Sequence, residues 1–174
     1  MLGGEGTLTM SRRNLAYAIA AVAAAGALAT LVLLDSGGGA TGRPAAPLPR
    51  EVLVPPRATL ATLRGRPAAI NFWASWCEPC REEAAGFERL ARRLHARASL
   101  VGVDWEDDRG AALGFIHRFG WTFPVLRAPR GSDGGRYGVI GLPTTLVLDP
   151  AGRVAAILRG PQSAADLARA LGVG

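Results

Sequence analysis

The sequence predicts an α/β domain, a mixed central sheet flanked by helices, with an N-terminal transmembrane helix ahead of it. Three observations lead there. Short apolar, strand-like runs alternate with amphipathic helix-length stretches from about Leu53 onward. The last two strand-like runs, Thr144–Asp149 and Val154–Leu158, are separated by Pro150-Ala151-Gly152 and read as an antiparallel hairpin. Near the N-terminus, Leu15 to Leu34 carries no charge.

As a helix, that uncharged run would be about 30 Å long, the thickness of a bilayer's hydrocarbon core. Arg12 and Arg13 precede it and Asp35 follows. The positive-inside tendency therefore makes residues 1–14 a cytoplasmic segment and puts everything after the anchor outside. Met10 is a candidate start. A cleaved signal peptide is the alternative, but its apolar region is usually shorter, at about 7–15 residues, and no clear Ala-x-Ala site follows. Ser11-Arg12-Arg13 is a partial twin-arginine match, and the absence of a cysteine directly after the run excludes a lipoprotein anchor. The favoured reading is an uncleaved anchor at residues 15–34.

Residues 35–52 read as a flexible linker, with glycine in the first half and proline in the second. A freely flexible chain of that kind spans roughly 22 Å. Residues 53–174 are the globular domain. Within it, Ala68–Trp73 is a central buried strand. A helix follows from Cys77 to about Ala96, with Phe87, Leu90 and Leu94 forming an apolar stripe. Ser99–Asp104 is the next strand. Asp108–Phe119 is a helix with Ala112, Phe115, Ile116 and Phe119 on one face, and Phe123–Leu126 is a short extended piece. The hairpin comes next, and Ser163 caps a last helix ending near Leu171. Parallel strands joined by helical crossovers and followed by antiparallel strands make a mixed sheet covered on both faces.

The chain has 174 residues, 49% of them hydrophobic, enough for one core-bearing domain plus an extension. Its net charge is +6. All 20 basic residues are arginine, dispersed in tracts no longer than two. That pattern reads as coding bias, not as a nucleic-acid surface, and no nucleic-acid partner is expected.

The chemistry is concentrated in Trp76-Cys77-Glu78-Pro79-Cys80, which holds both cysteines of the chain. A Cys-x-x-Cys between a strand and a helix points to thiol–disulfide redox chemistry. The first thiol lies at a helix N-terminus, where unpaired N–H groups favour the thiolate, and the second is one turn away. A static structural disulfide would close too short a loop to stabilise much. A zinc site needs four ligands, and His95 and His117 are distant in sequence and read as surface residues, so no metal and no other cofactor is expected.

Three stretches resemble the thioredoxin fold: Phe72-Trp73-Ala74-Ser75-Trp76-Cys77-Glu78-Pro79-Cys80, Gly141-Leu142-Pro143-Thr144-Thr145, and Gly160 after the last strand. Glu-Pro between the cysteines, Leu-Pro-Thr-Thr and Thr122-Phe123-Pro124-Val125-Leu126 make the chain most similar to the TlpA/ResA-like, also DsbE/CcmG-like, membrane-anchored thiol–disulfide oxidoreductases. The resemblance covers about residues 55–172. It departs from thioredoxin at Asn71, where that family has a buried aspartate, and the segment before Ala68 is shorter than the usual N-terminal hairpin.

The resemblance implies a redox-active Cys77–Cys80 disulfide. Cys77 would be the partly exposed attacking thiol and Cys80 the buried resolving one. Glu83 matches an acid linked to activity in ResA-like proteins. Pro143 would be a cis-proline opposite Cys77, with Leu142 offering its backbone to an extended substrate. Trp73 is expected in the core, and Trp76 beside the site as an apolar contact. Asp104-Trp105-Glu106, at the C-terminal end of a strand, are candidates to flank the site. Arg81 and Glu82 are expected to be solvated.

Pro79 suits the first helical turn, and Glu78, with Glu82 and Glu83, is expected to tune Cys77 toward a reducing potential by opposing the thiolate. The implied activity is disulfide reduction in extracytoplasmic proteins, with apocytochrome c the first substrate class and a membrane electron donor of the DsbD/CcdA type. The alternatives are a copper-handling assembly factor and a disulfide-forming oxidant. The oxidants usually carry a helical insertion for which there is no room here, and the Thr-x-x-Cys of thiol peroxidases is absent.

Overall fold

The structure, a computed structural model, describes residues 41–129 and 134–174. The expected anchor at residues 15–34 and the start of the expected linker lie outside the described residues. Among the described residues, no helix is long and apolar enough to cross a membrane.

The elements follow in the order β1 (Glu51–Val54), α1 (Leu60–Leu63), β2 (Ala68–Trp73), α2 (Glu78–Leu94), β3 (Ser99–Trp105), α3 (Arg109–Phe119), β4 (Val125–Ala128), α4 (Gly134–Tyr137), β5 (Thr144–Leu148), β6 (Val154–Arg159) and α5 (Ala164–Ala170). The six described strands form one sheet in the order β1-β4-β3-β2-β5-β6. β2, β3 and β4 are parallel neighbours, whereas β1, β5 and β6 run antiparallel to theirs. The mixed sheet expected from the sequence is therefore present, with β2 at its centre.

All six residues of β2 are buried because both faces of the sheet are covered. Alternation along the strand sends Ala69 and Trp73 to one core, and Ala68, Ile70 and Phe72 to the other. The first core is closed by α2, α3 and α5. From α2 it takes Cys80, Ala84, Phe87, Leu90 and Leu94, the last three being the apolar stripe read from the sequence. Each such large side chain contributes about 1.5–3 kcal/mol on burial. Trp73 stacks on Phe115 at 4.5 Å and meets Trp121 edge-on at 4.9 Å. Gly102 of β3 makes room for this cluster, since a Cβ there would lie 3.1 Å from Trp73 Nε1 and 3.3 Å from Val125.

Residues 42–50, expected within the linker, are instead tied to the domain. The amides of Gly42 and Ala45 donate to the carbonyls of Val154 and Gly152, Pro44 bridges Arg153, and the Tyr137 hydroxyl donates to the Pro47 carbonyl. Ala45 is buried in the second core. Glu51–Val54 is a strand on the edge of β4, not linker, so the domain begins earlier than residue 53. The physical reason is that β6 and β4 each leave an unpaired edge, and nearby chain satisfies backbone groups there. The N-terminal hairpin is reduced to β1 and the single turn of α1, which Thr59 and Thr62 cap reciprocally.

Candidate redox site

β2 ends at Trp73, and four residues later the chain turns into α2. Cys77 is the N-cap of that helix, in extended conformation, and its sulfur accepts the Cys80 amide at 3.2 Å. Pro79 lies in the first turn, where its missing N–H leaves no intrahelical bond unmade. Glu78 at the start and Arg92 and Arg93 at the end complement the helix dipole. Cys77 and Cys80 form a disulfide, with their Cα atoms 5.3 Å apart.

The expectation that Cys77 is partly exposed is corrected: 4% of its surface is accessible, against 1% for Cys80. The disulfide directs the Cys77 sulfur toward the helix, and both cysteines belong to the first core. The surface of the site is instead Trp76, 60% exposed. The Leu142–Pro143 bond is cis, and Leu142 packs against both cores, including the cluster that contains the cysteines. The Pro143 carbonyl accepts the Gly160 amide at 2.9 Å, with Gly160 at φ 79°, where glycine alone is unstrained. The third matching stretch is thereby fastened to the second.

Glu83 lies one turn beyond Cys80 on α2 and is buried, 4% exposed. Its Oε1 accepts from Asn71 Nδ2 at 2.8 Å, and its Oε2 from the Gln162 amide at 2.9 Å. Burial pushes its carboxyl up to about 7, against the lowering effect of those two hydrogen bonds. Asn71 thus occupies the site of the missing aspartate as a partner of Glu83, and its Nδ2 also reaches Thr145 Oγ1 at 3.1 Å.

The electrostatic tuning expected from Glu78 is weakened. Its carboxylate is exposed and paired with Arg81 at 2.7 Å, which compensates its charge. Arg81, expected to be solvated, also donates to the Ser75 carbonyl at 2.9 Å. Of the three acids, Glu83 is the one enclosed near the cysteines.

Asp104-Trp105-Glu106 divides. Asp104 is fully buried, and Trp105 packs against the second core, so neither flanks the site at the surface. β3 is central, so its side chains are covered on both faces. Burial and the Asp107 carboxylate push Asp104 up to about 7, and Arg127 acts in the opposite sense. Arg127 Nε approaches Asp104 Oδ2 at 3.4 Å without hydrogen-bond geometry. Glu106 is exposed, and its carbonyl lies 3.4 Å from the Trp76 indole nitrogen.

The AhpC/TSA family profile matches residues 55–157, more than half of the chain. The chain belongs to the AhpC/TSA family. It is 43% identical over 93 residues to the thiol:disulfide interchange protein DsbE homolog of Paracoccus denitrificans, covering 53% of this chain and 50% of that protein. It is 29% identical over 109 residues to the thiol-disulfide oxidoreductase ResA of Bacillus anthracis, covering 62% of this chain and 63% of ResA. The DsbF homologue from Corynebacterium diphtheriae superposes with a TM-score of 0.68 at 28% identity, over 79% of this chain and 95% of that one. This chain spans about half the length of the DsbE-type relatives it matches. The kinship with DsbE- and ResA-type proteins and the thioredoxin-like fold, both expected from the motifs, are borne out.

Proposed function

We propose that this AhpC/TSA-family chain is a thiol–disulfide oxidoreductase that reduces disulfides in extracytoplasmic proteins. The observation that carries the proposal is the Cys77–Cys80 disulfide at the start of α2, beneath the exposed Trp76. In the reduced protein, the Cys77 thiolate attacks one sulfur of a substrate disulfide, and the substrate's other sulfur leaves as a thiol. Cys80 then gives up its proton and attacks Cys77, which releases the second substrate thiol and restores the protein disulfide. Two electrons pass from the protein dithiol to the substrate disulfide.

Glu83, raised to about 7, is placed one turn from Cys80 to take that thiol's proton. Trp76 supplies an apolar contact, and Leu142, beside Pro143, offers backbone to an extended substrate segment. Glu78 and Pro79 set the helix start on which the Cys77 thiolate depends. The peroxidase chemistry that the family name suggests lacks support here, because Ala74 stands where a Thr-x-x-Cys motif needs its hydroxyl.

The uncharged run at residues 15–34, with Arg12 and Arg13 before it, supports the reading that the domain lies outside the cytoplasm behind a membrane anchor, and the proposed electron donor is a membrane protein of the DsbD/CcdA type. Apocytochrome c, with its own Cys-x-x-Cys, is the proposed substrate class. Cys80→Ser tests the chemistry: it should hold substrate as a mixed disulfide on Cys77, which mass spectrometry identifies. Absence of any Cys77 adduct would refute the proposed function, and adducts lacking haem-attachment proteins would remove the substrate class.

A further inference from the structure

The residue before Trp76 is held more firmly than a surface serine needs to be. The Ser75 amide donates to Asp107 Oδ2 at 2.5 Å, its hydroxyl to Asp107 Oδ1 at 3.0 Å, and its carbonyl accepts from Arg81 Nη2 at 2.9 Å. Every polar group of Ser75 is therefore engaged by a charged side chain. One comes from the turn after β3 and the other from the redox helix itself.

Asp107 is in turn fixed from behind. Its carbonyl accepts from Arg127 Nη2 at 2.7 Å, and Arg127 pairs with Glu51 at 3.2 Å. The Asp108 amide closes on Asp107 Oδ1 at 2.8 Å. Glu106 sits at φ 54°, a conformation that non-glycine residues seldom adopt. Its carbonyl faces the Trp76 indole while the Asp107 side chain faces Ser75, so consecutive residues of one turn meet consecutive residues of the loop.

We propose that Asp107 is a positioning residue for the redox loop: through Ser75 its carboxylate holds the backbone that carries Trp76 and Cys77 against the β3–α3 turn. This rests on the reading that Cys77 is the attacking thiol. A carboxylate suits the task because three donors converge on its two oxygens, and it offers acceptor sites only. Asparagine has the same shape but turns one acceptor into a donor, which opposes either the Ser75 amide or the Asp108 amide, neither of which can accept. The loop then shifts, and with it Trp76 and the Cys77 sulfur that caps α2.

The test compares wild type, Asp107→Asn and Ser75→Ala as full chains. Reduced protein is mixed with a small aromatic disulfide, and the exchange rate is followed by released thiol. Iodide quenching of tryptophan fluorescence is read in parallel. Among the tryptophans, Trp76 alone is largely exposed, so quenching reports its position. Asp107→Asn is expected to slow exchange about tenfold or more, since a misplacement of about an ångström in a reacting geometry can cost that much. It is also expected to change the quenching.

Ser75→Ala, which keeps the amide bond to Asp107, should show a smaller effect, and the double variant should be no slower than Asp107→Asn alone. An exchange rate within about twofold of wild type with unchanged quenching overturns the proposal, even if the urea midpoint falls, because the bond would then serve stability only. If Asp107→Asn does not fold, Ser75→Ala decides by the same two readouts. If wild type itself fails to exchange disulfides, the thiol–disulfide reading fails, and quenching alone still decides the positioning.

Discussion

Glu83→Gln isolates the buried carboxyl beside the cysteines. In the folded chain, burial raises this carboxyl from 4.5 to about 7. Between those values the folded protein holds a proton that the unfolded chain has released. The stability linked to that proton is fully present below the unfolded value of 4.5 and is lost as pH rises through about 7. From about pH 5 to about pH 8, at about 1.4 kcal/mol per pKa unit, the loss is about 2 to 3 kcal/mol. Glutamine is neutral throughout and suffers no such loss.

The substituted side chain can also be seated. Its Oε1 accepts the Gln162 amide, and its Nε2 donates to Asn71 Oδ1, a buried oxygen without a hydrogen-bond partner among the described residues, once the Asn71 amide is flipped. The assay is urea unfolding of both oxidised proteins at the two pH values. The proteins should lie close together near pH 5, and the variant should be more stable by about 2 to 3 kcal/mol near pH 8. Asp104, also at about 7, contributes the same slope to both and cancels in the difference. Equal pH dependence in the two proteins would refute the assignment of a raised carboxyl at Glu83.

Three further outcomes are expected. Gly102→Ala should destabilise the domain by about 1–3 kcal/mol in urea unfolding, because the new Cβ meets Trp73 at 3.1 Å and Val125 at 3.3 Å within a packed core; an unchanged midpoint would contradict that packing. In reduced protein under limiting iodoacetamide, peptide mapping should find Cys77 modified ahead of Cys80, and the reverse order would exchange their roles. Equilibration against glutathione should give a potential nearer thioredoxin's than DsbA's, and Glu78→Gln should raise it by less than about 30 mV, a tenfold change in the equilibrium, because Arg81 already compensates Glu78. A larger shift would show that the ion pair does not neutralise Glu78 in solution.

Much of the site was legible because its parts are local. Cys77, Pro79 and Cys80 fall in one helical turn, and a strand-to-helix junction can be read from periodicity on either side. Leu142-Pro143 and Gly160 were recognisable through their resemblance to the thioredoxin fold, although the hydrogen bond that joins their loops was not. The exposure of Cys77 was misread because sequence position says that a residue begins a helix and not what closes over it. Glu78 was given too much weight for a similar reason: counting acids near a thiol leaves out the arginine that pairs with one of them and the burial that withholds the charge of another.

The sequence by itself determined the order of the strands and longer helices from β2 onward, the placement of the two thiols at a helix start, and the apolar faces of α2 and α3. Each of these depends on side-chain pattern within a dozen or so residues. Tertiary structure alone decided that Glu83 meets Asn71 and Gln162, that Asp107 holds Ser75, that Asp104 is buried, and that residues 42–54 complete the sheet edges. The hydrogen-bonded partners among these lie at least 12 residues apart along the chain. No local pattern encodes such pairings, because only the packing of β2 between β3 and β5, with helices closing one face, removes water from these groups and leaves them one another as partners.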